Sequence, residues 1–307
     1  MKTDVVARQR TIEANGRHFA YLEAGEGPLV LLLHGFPDDA WTWSSQISSL
    51  CDAGYRVVAP FLRGFPPSEV PSDGSCTTKN NGADAAAILR SLGDGPAYVV
   101  GHDWGGLATF VLLAEAPELV RRAAVVAVTH PAMLLPVLER PSLVHHLFHV
   151  WFFQVGGLSE GALRANDFAL VDYLWEHWAA EGHDDAEHVA RLKREVLGKA
   201  GVVAALLAYY RALVRLPTEQ PELLARLLQP TSVPLLAIWG NCDPAREAAA
   251  GEHKFFRGEY RREVLEGAGH FVHREQPARF NELLLSWLRE NEQRPAREAP
   301  TSNRVDR

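Results

Sequence analysis

The stretch with the clearest chemical meaning is Gly101-His102-Asp103-Trp104-Gly105-Gly106, which directly follows the apolar run at residues 97–100. The order reads as a strand, a sharp turn and a helix start, with a carboxylate at the tip of the turn. Small residues on both sides let the backbone fold tightly and present one side chain, the arrangement of a nucleophile elbow. The tip usually carries serine, which must lose its proton to a partner before it attacks. An aspartate, with an ordinary pKa of about 3.9, is already an anion at neutral pH. It can displace a leaving group from an alkyl carbon with no base in the first step. The motif therefore points away from esters and amides and toward electrophilic sp3 carbons such as epoxides and alkyl halides. A plain helix-capping aspartate is the competing reading, and the flanking glycines and preceding strand argue against it.

Further landmarks complete a hydrolytic set. His34-Gly35-Phe36-Pro37 follows an apolar run at 28–33. A loop in that place supplies one backbone N–H to an oxyanion hole, and the residue after the nucleophile supplies the other; the two donors are Phe36 and Trp104. Asp243 follows the strand-like run at 234–240, and His270 closes Gly267-Ala268-Gly269-His270. The chain order is nucleophile, acid, histidine. The competing place for the acid, after the run at 123–128, holds Thr129 and His130, neither of them a carboxylate. That selects Asp243.

The elements that must position these groups alternate. A hairpin is expected around Asn15-Gly16, and β-type runs at 28–33, 56–59, 97–100, 123–128, 235–239 and 262–265. Helical spacing marks 78–92 and 107–114, and a closing helix starts near Pro277. Strands alternating with helices imply an α/β fold: a mostly parallel central sheet with helices on both faces. Residues 131–229 break the alternation with a long, helical, aromatic-rich block that includes Phe148, Trp151, Tyr173, Trp175, Tyr209 and Tyr210. We read it as an inserted helical cap over a core of residues 1–130 and 230–292, with a disordered polar tail at 293–307. A cap excludes water and shapes a pocket.

The chain resembles the α/β-hydrolase-fold epoxide hydrolases, the aspartate-nucleophile branch related to haloalkane dehalogenases. The matching residues are His34-Gly35-Phe36-Pro37, Leu62-Arg63-Gly64, residues 101–106, His130-Pro131, Phe153-Gln154, Tyr209-Tyr210-Arg211 and Gly269-His270-Phe271. The resemblance implies two cap tyrosines that donate hydrogen bonds to the epoxide oxygen. One matches Tyr210. The other should stand shortly before Phe153-Gln154, where this chain has no tyrosine; its best match is His149. A histidine there would make ring opening sensitive to pH near neutrality. A second departure is the Pro66-Pro67 pair after Arg63-Gly64-Phe65, expected to reshape a loop near the pocket. The implied pocket includes Phe36, Pro37, Trp104, Trp151 and Tyr209.

The implied reaction is hydrolysis of an ether bond in two displacements. Asp103 attacks an epoxide carbon while Tyr210 and His149 stabilise the alkoxide. Water, activated by His270 with Asp243 behind it, then releases a vicinal diol. The partners are a small apolar or aryl epoxide and water; neither a metal nor an organic cofactor is needed. Two other readings stay open: a haloalkane or haloacid dehalogenase using the same aspartate, and a hydrolase-fold binding protein without catalysis. His145, His146 and His149 suggest a metal site, but no carboxylate or cysteine stands at ligand spacing nearby in the sequence, so a cap helix with polar edges is the expectation.

Composition sets the bounds. The 307 residues are 47% hydrophobic and 22% charged, with a net charge of −7, an ordinary globular mix. The acidic balance disfavours a nucleic-acid partner. Cys51, Cys76 and Cys242 form no CxxC pair, which fits a reducing cytoplasm. Residues 1–10 lack an apolar signal region. The longest apolar run, at 201–210, is far below the roughly 20 residues of a membrane helix. A soluble cytoplasmic protein is expected, with monomer and homodimer both open.

Overall fold

A computed structural model describes residues 6–133, 137 and 139–290; the expected tail at 293–307 lies outside them. Eight strands form one sheet in the order β1-β2-β4-β3-β5-β6-β7-β8. They are β1 (Arg8–Ala14), β2 (Arg17–Ala24), β3 (Leu29–Leu33), β4 (Arg56–Pro60), β5 (Ala97–His102), β6 (Val120–Val126), β7 (Leu235–Gly240) and β8 (Tyr260–Leu265). β1 and β2 are joined by the Asn15-Gly16 turn, and β2 runs antiparallel to both β1 and β4. All other pairs are parallel.

Every residue of β3, β5 and β7 is buried. Successive side chains of a strand face opposite sides, so both faces of the central sheet are covered, as parallel sheets require. The covering helices are α1 (Ser44–Asp52), α2 (Thr78–Leu92), α3 (Trp104–Glu115) and, after β8, a closing helix (Pro277–Arg289). α3 is apolar all round and almost wholly buried, the pattern of a central helix. Asp84 of α2 and Arg63 form a buried ion pair at 2.5 and 2.7 Å, which Asn15 joins at 2.7 Å. This ties the hairpin to α2 and the loop after β4.

Between β6 and β7 the chain is helical: α4 (Pro141–His146), α5 (Phe148–Phe152), α6 (Leu158–Trp178, interrupted at 165–168), α7 (Ala186–Leu192), α8 (Val202–Glu219) and α9 (Pro221–Leu227). We call this block the cap. No single helix among the described residues is long and apolar enough to cross a membrane.

The sharp turn after β5 sets the tightest steric demand. Asp103 sits at φ 50°, ψ −115°, a strained conformation for a residue with a Cβ. A Cβ on Gly101 would lie 2.3 Å from the Gly105 carbonyl oxygen, and one on Gly105 would lie 2.1 Å from the Leu33 carbonyl oxygen. The glycines are thus required by backbone packed against backbone. Gly105→Ala is expected to lower the unfolding free energy by at least about 2 kcal/mol, read from the denaturant midpoint. Gly156→Ala, where a Cβ meets nothing within 4 Å, should stay within about 0.5 kcal/mol.

Candidate active site

The carboxylate of Asp103 is held at the start of α3. The Phe36 N–H donates to its Oδ1 at 2.8 Å, and the Trp104 N–H also stabilises the charged form. These are the two donors expected to form an oxyanion hole, and both meet the Asp103 carboxylate. The loop carrying Phe36 is pinned by His34, whose Nε2 accepts the Leu62 N–H at 3.0 Å. Burial pushes the Asp103 carboxyl above the usual carboxylate range, and the charge of His270 with the two N–H groups oppose that rise.

Asp243 and His270 come together on the ends of β7 and β8. His270 Nδ1 lies 3.3 Å from Asp243 Oδ2, and its Nε2 is buried with no partner. Asp243 is 1% exposed. Burial disfavours its charge, yet the imidazoles of His146 and His270 hold it well below the usual carboxylate range. For His270, burial disfavours the cation. The Asp243 hydrogen bond and the charges of Asp243, Asp103 and Glu275 outweigh it, so its pKa is raised.

Asp103, Trp104, Tyr210, His149 and His270 line one cavity of about 120 Å3. Its other walls are mostly apolar, with Leu107, Val128, Val150, Leu213 and Trp239, and also include Thr129, His130 and His146. The Tyr210 ring stands edge-on to Trp104, with centroids 4.8 Å apart, and edge-on to His149 at 5.6 Å. Burial and the charge of Asp103 push the Tyr210 phenol well above its ordinary range, so it remains a donor. Among the described residues no cluster of His, Cys, Asp or Glu is arranged to hold a metal.

Several expected pocket residues lie elsewhere. Tyr209 is turned away by its place on α8, about 100° from Tyr210. Its hydroxyl is bound at 2.6 Å to the Arg63 carbonyl and at 2.7 Å to Asn81. The Phe36 ring packs edge-on against Tyr210 at 5.5 Å and Phe153 at 6.0 Å, outside the cavity walls. Pro37 gives its carbonyl to the indole N–H of Trp175 at 3.1 Å. Trp151 is two positions from His149, so it faces the opposite side of its helix and packs on the core. The Pro66-Pro67 loop lines no part of the cavity. The expected pH sensitivity of His149 is also corrected. Burial, then the charges of His146 and His270, pull its pKa down to about 3, so it is a neutral donor throughout the physiological range.

Two contacts escaped the sequence reading, that of Glu275 and that of His146, which it places only on the polar edge of a cap helix. Glu275 accepts the N–H groups of Gly269 at 2.7 Å, Phe271 at 2.8 Å and Ala180 at 2.8 Å. It fixes the loop on both sides of His270 and fastens that loop to the cap. His146 Nε2 stands 3.4 Å from Asp243 Oδ1. No spacing rule reaches a carboxylate almost a hundred positions downstream.

Comparison with known proteins places this geometry in a family. The model of the alpha/beta hydrolase fold matches residues 28–277. The chain belongs to the α/β hydrolase fold family. It is 32% identical to the AB hydrolase superfamily protein YfhM of Bacillus subtilis, over 89% of this chain and 94% of that one. Its full-length relatives include epoxide hydrolases. Epoxide hydrolase A of Mycobacterium tuberculosis is 28% identical, over 91% of this chain and 97% of its own. The crystal structure of Epoxide Hydrolase A from Mycobacterium thermoresistibile superposes with a TM-score of 0.81 at 26% identity, covering 93% of this chain and 99% of that one.

The protonation pattern is open to direct measurement. In a 15N NMR titration of the histidine rings, His270 should titrate above its ordinary value of about 6.5. His149 should stay neutral from pH 8 down to pH 5, since about two units separate that limit from its midpoint of about 3.

Proposed function

We propose that the protein is an epoxide hydrolase that converts apolar or aryl-bearing epoxides to vicinal diols through an ester on Asp103. The observation that carries this reading is the split environment of the Asp103 carboxylate. Oδ1 rests on the Phe36 N–H, while the same cavity holds Asp103, the donors Tyr210 and His149, and His270. The epoxide hydrolase names of full-length relatives support the same reading.

In this scheme Asp103 Oδ2 attacks an epoxide carbon and the C–O bond to that carbon breaks. The oxygen that leaves as an alkoxide stays on the substrate and accepts a hydrogen bond from Tyr210, with neutral His149 as second donor, and takes up a proton. Donors fixed before the reaction stabilise such developing charge without reorganising. In the second step the unpartnered Nε2 of His270 takes a proton from water, and the resulting hydroxide adds to the Asp103 carbonyl carbon. The new oxyanion develops on Oδ1, which already accepts the Phe36 N–H, with the Trp104 N–H, which also stabilises the carboxylate, as the second donor. Collapse breaks the bond between the carbonyl carbon and Oδ2, the departing oxygen takes the proton of the new carboxyl group, and the diol leaves the carboxylate restored; His270 returns its proton to solvent, which balances the one the alkoxide took up through Tyr210 in the first step. The base must be neutral to act, so ester hydrolysis should rise with pH, and since esterification removes the Asp103 charge that helps raise His270, its midpoint should lie below that of His270 in the free protein.

Dehalogenation by the same aspartate is the second reading, and one observation favours it. The indole N–H groups of Trp104 and Trp178 are buried without acceptors in residues that line the cavity, and such donors suit a halide. Tyr210 and His149 favour oxygen as the leaving atom, which supports the epoxide reading.

Incubating His270→Gln with styrene oxide should accumulate a protein adduct of the added epoxide mass, mapped by peptide mass spectrometry to Asp103. Tyr210→Phe should slow adduct formation by about 10²-fold. Halide release from a bromoalkane without diol formation from any epoxide would transfer the assignment to the dehalogenase. No adduct with either class would leave a binding protein.

A further inference from the structure

The acid of the catalytic pair has two imidazole neighbours, one from each layer of the molecule. On the core side, His270 Nδ1 meets Asp243 Oδ2 at 3.3 Å. On the cap side, His146 Nε2, from the last turn of α4, stands 3.4 Å from Asp243 Oδ1. The third neighbour is the Ala245 N–H at 2.8 Å on Oδ1. His146 is 9% exposed and lines the same cavity as Asp103 and His270. We infer that His146 is a positioning residue: seated on Asp243 by the cap, it shares that carboxylate with His270 and restrains the basicity of His270. The reaction step it serves, hydrolysis of the Asp103 ester, is taken from the function proposed above.

The physical argument follows from how a buried carboxylate divides its charge. An imidazole N–H directed at Oδ1 withdraws negative charge from Oδ2, so the carboxylate holds the Nδ1 proton of His270 less firmly. The cation of His270 is then less stabilised. This is so whether His146 is a neutral donor or a cation, since both act on Asp243 with the same sign. Location adds a second consequence. The backbone N–H of His270 donates to the Trp178 carbonyl of the cap at 2.8 Å. Both members of the His270–Asp243 pair are therefore referenced to the cap, and the base takes its working pKa when the cap is seated.

The groups facing these rings are few. His146 meets Asp243 and the His177 ring, 5.9 Å away, with His145 adjacent and His149 nearly one turn on. His270 faces Asp243, the charges of Asp103 and Glu275, and the neutral, buried ring of His102 at 4.7 Å.

A 15N NMR titration of the free protein tests the inference without any substrate. His146→Phe should raise the His270 midpoint by about half a unit or more, and His146→Gln, which keeps an N–H donor, by less than half as much. An unmoved midpoint in His146→Phe, or equal shifts in the two variants, would overturn the proposal. Where the phenylalanine variant does not fold, His146→Leu carries the same expectation and the same overturning result. Failure of every epoxide to label Asp103 would sink the proposed function and leave this titration result standing.

Discussion

The turn at Asp103 is the constraint on which the rest of the site depends. Its positive φ points the carboxylate out of the sheet and back over the Phe36 N–H. Such a conformation persists only when its surroundings over-determine it. Here the surroundings are backbone: Gly101 against Gly105, and Gly105 against the end of β3. Those close approaches bring the loop after β3 within hydrogen-bonding distance of the nucleophile. The same contact that makes the turn costly therefore sets the Phe36 N–H on the Asp103 carboxylate, the arrangement of the proposed oxyanion hole. Neither feature can be changed without the other.

Burial then sorts the titratable groups by partner. His149 and His273 are buried without an acid bonded to the ring, and both are pulled down to about 3. His270 is buried too, but Asp243 stands on its Nδ1 and reverses the sign. Placing histidines in one apolar region thus gives two kinds of group: fixed neutral donors and a single base with a raised pKa. The distinction rests on one carboxylate. Asp243 keeps its charge in that setting only because imidazoles approach it from two sides, so the core and the cap both enter into the property of the base.

Much of this was legible in the sequence because it rests on local patterns. Strand runs, the Asn15-Gly16 hairpin and the glycine-flanked aspartate each declare themselves within a few residues, and chain order supplied Asp243 and His270. The pocket walls were less legible. Choosing Tyr210 over Tyr209 depends on which side of α8 faces the cavity, and both sides carry tyrosine. Trp151 matched by composition but sits on the wrong face of its helix. The ionisation of His149 was misjudged because a sequence gives the ring and not its burial. The contacts of Glu275 and His146 were missed for a different reason: each acts across the seam between cap and core, where the partners are remote in the chain.

That seam is where the chemistry of the site and the mechanics of the fold meet. The loop that carries the oxyanion donor Phe36 continues into Asp38 and Asp39, which bind cap residues His188 at 2.7 Å and Arg191 at 2.7 and 2.9 Å. Pro37 holds the Trp175 indole, Glu275 holds the Ala180 N–H, and Trp178 holds the His270 N–H. Most of these ties join a cap residue to a residue within a few positions of a group that does chemistry. Buried ion pairs are a weak source of net stability, but they are strict about geometry. Their placement here means that a displaced cap would disturb the oxyanion loop and the base together. In the proposed function, enclosure of a substrate and readiness of Asp103 and His270 are consequently one structural condition, imposed by polar contacts at a boundary that apolar packing alone would leave free to slide.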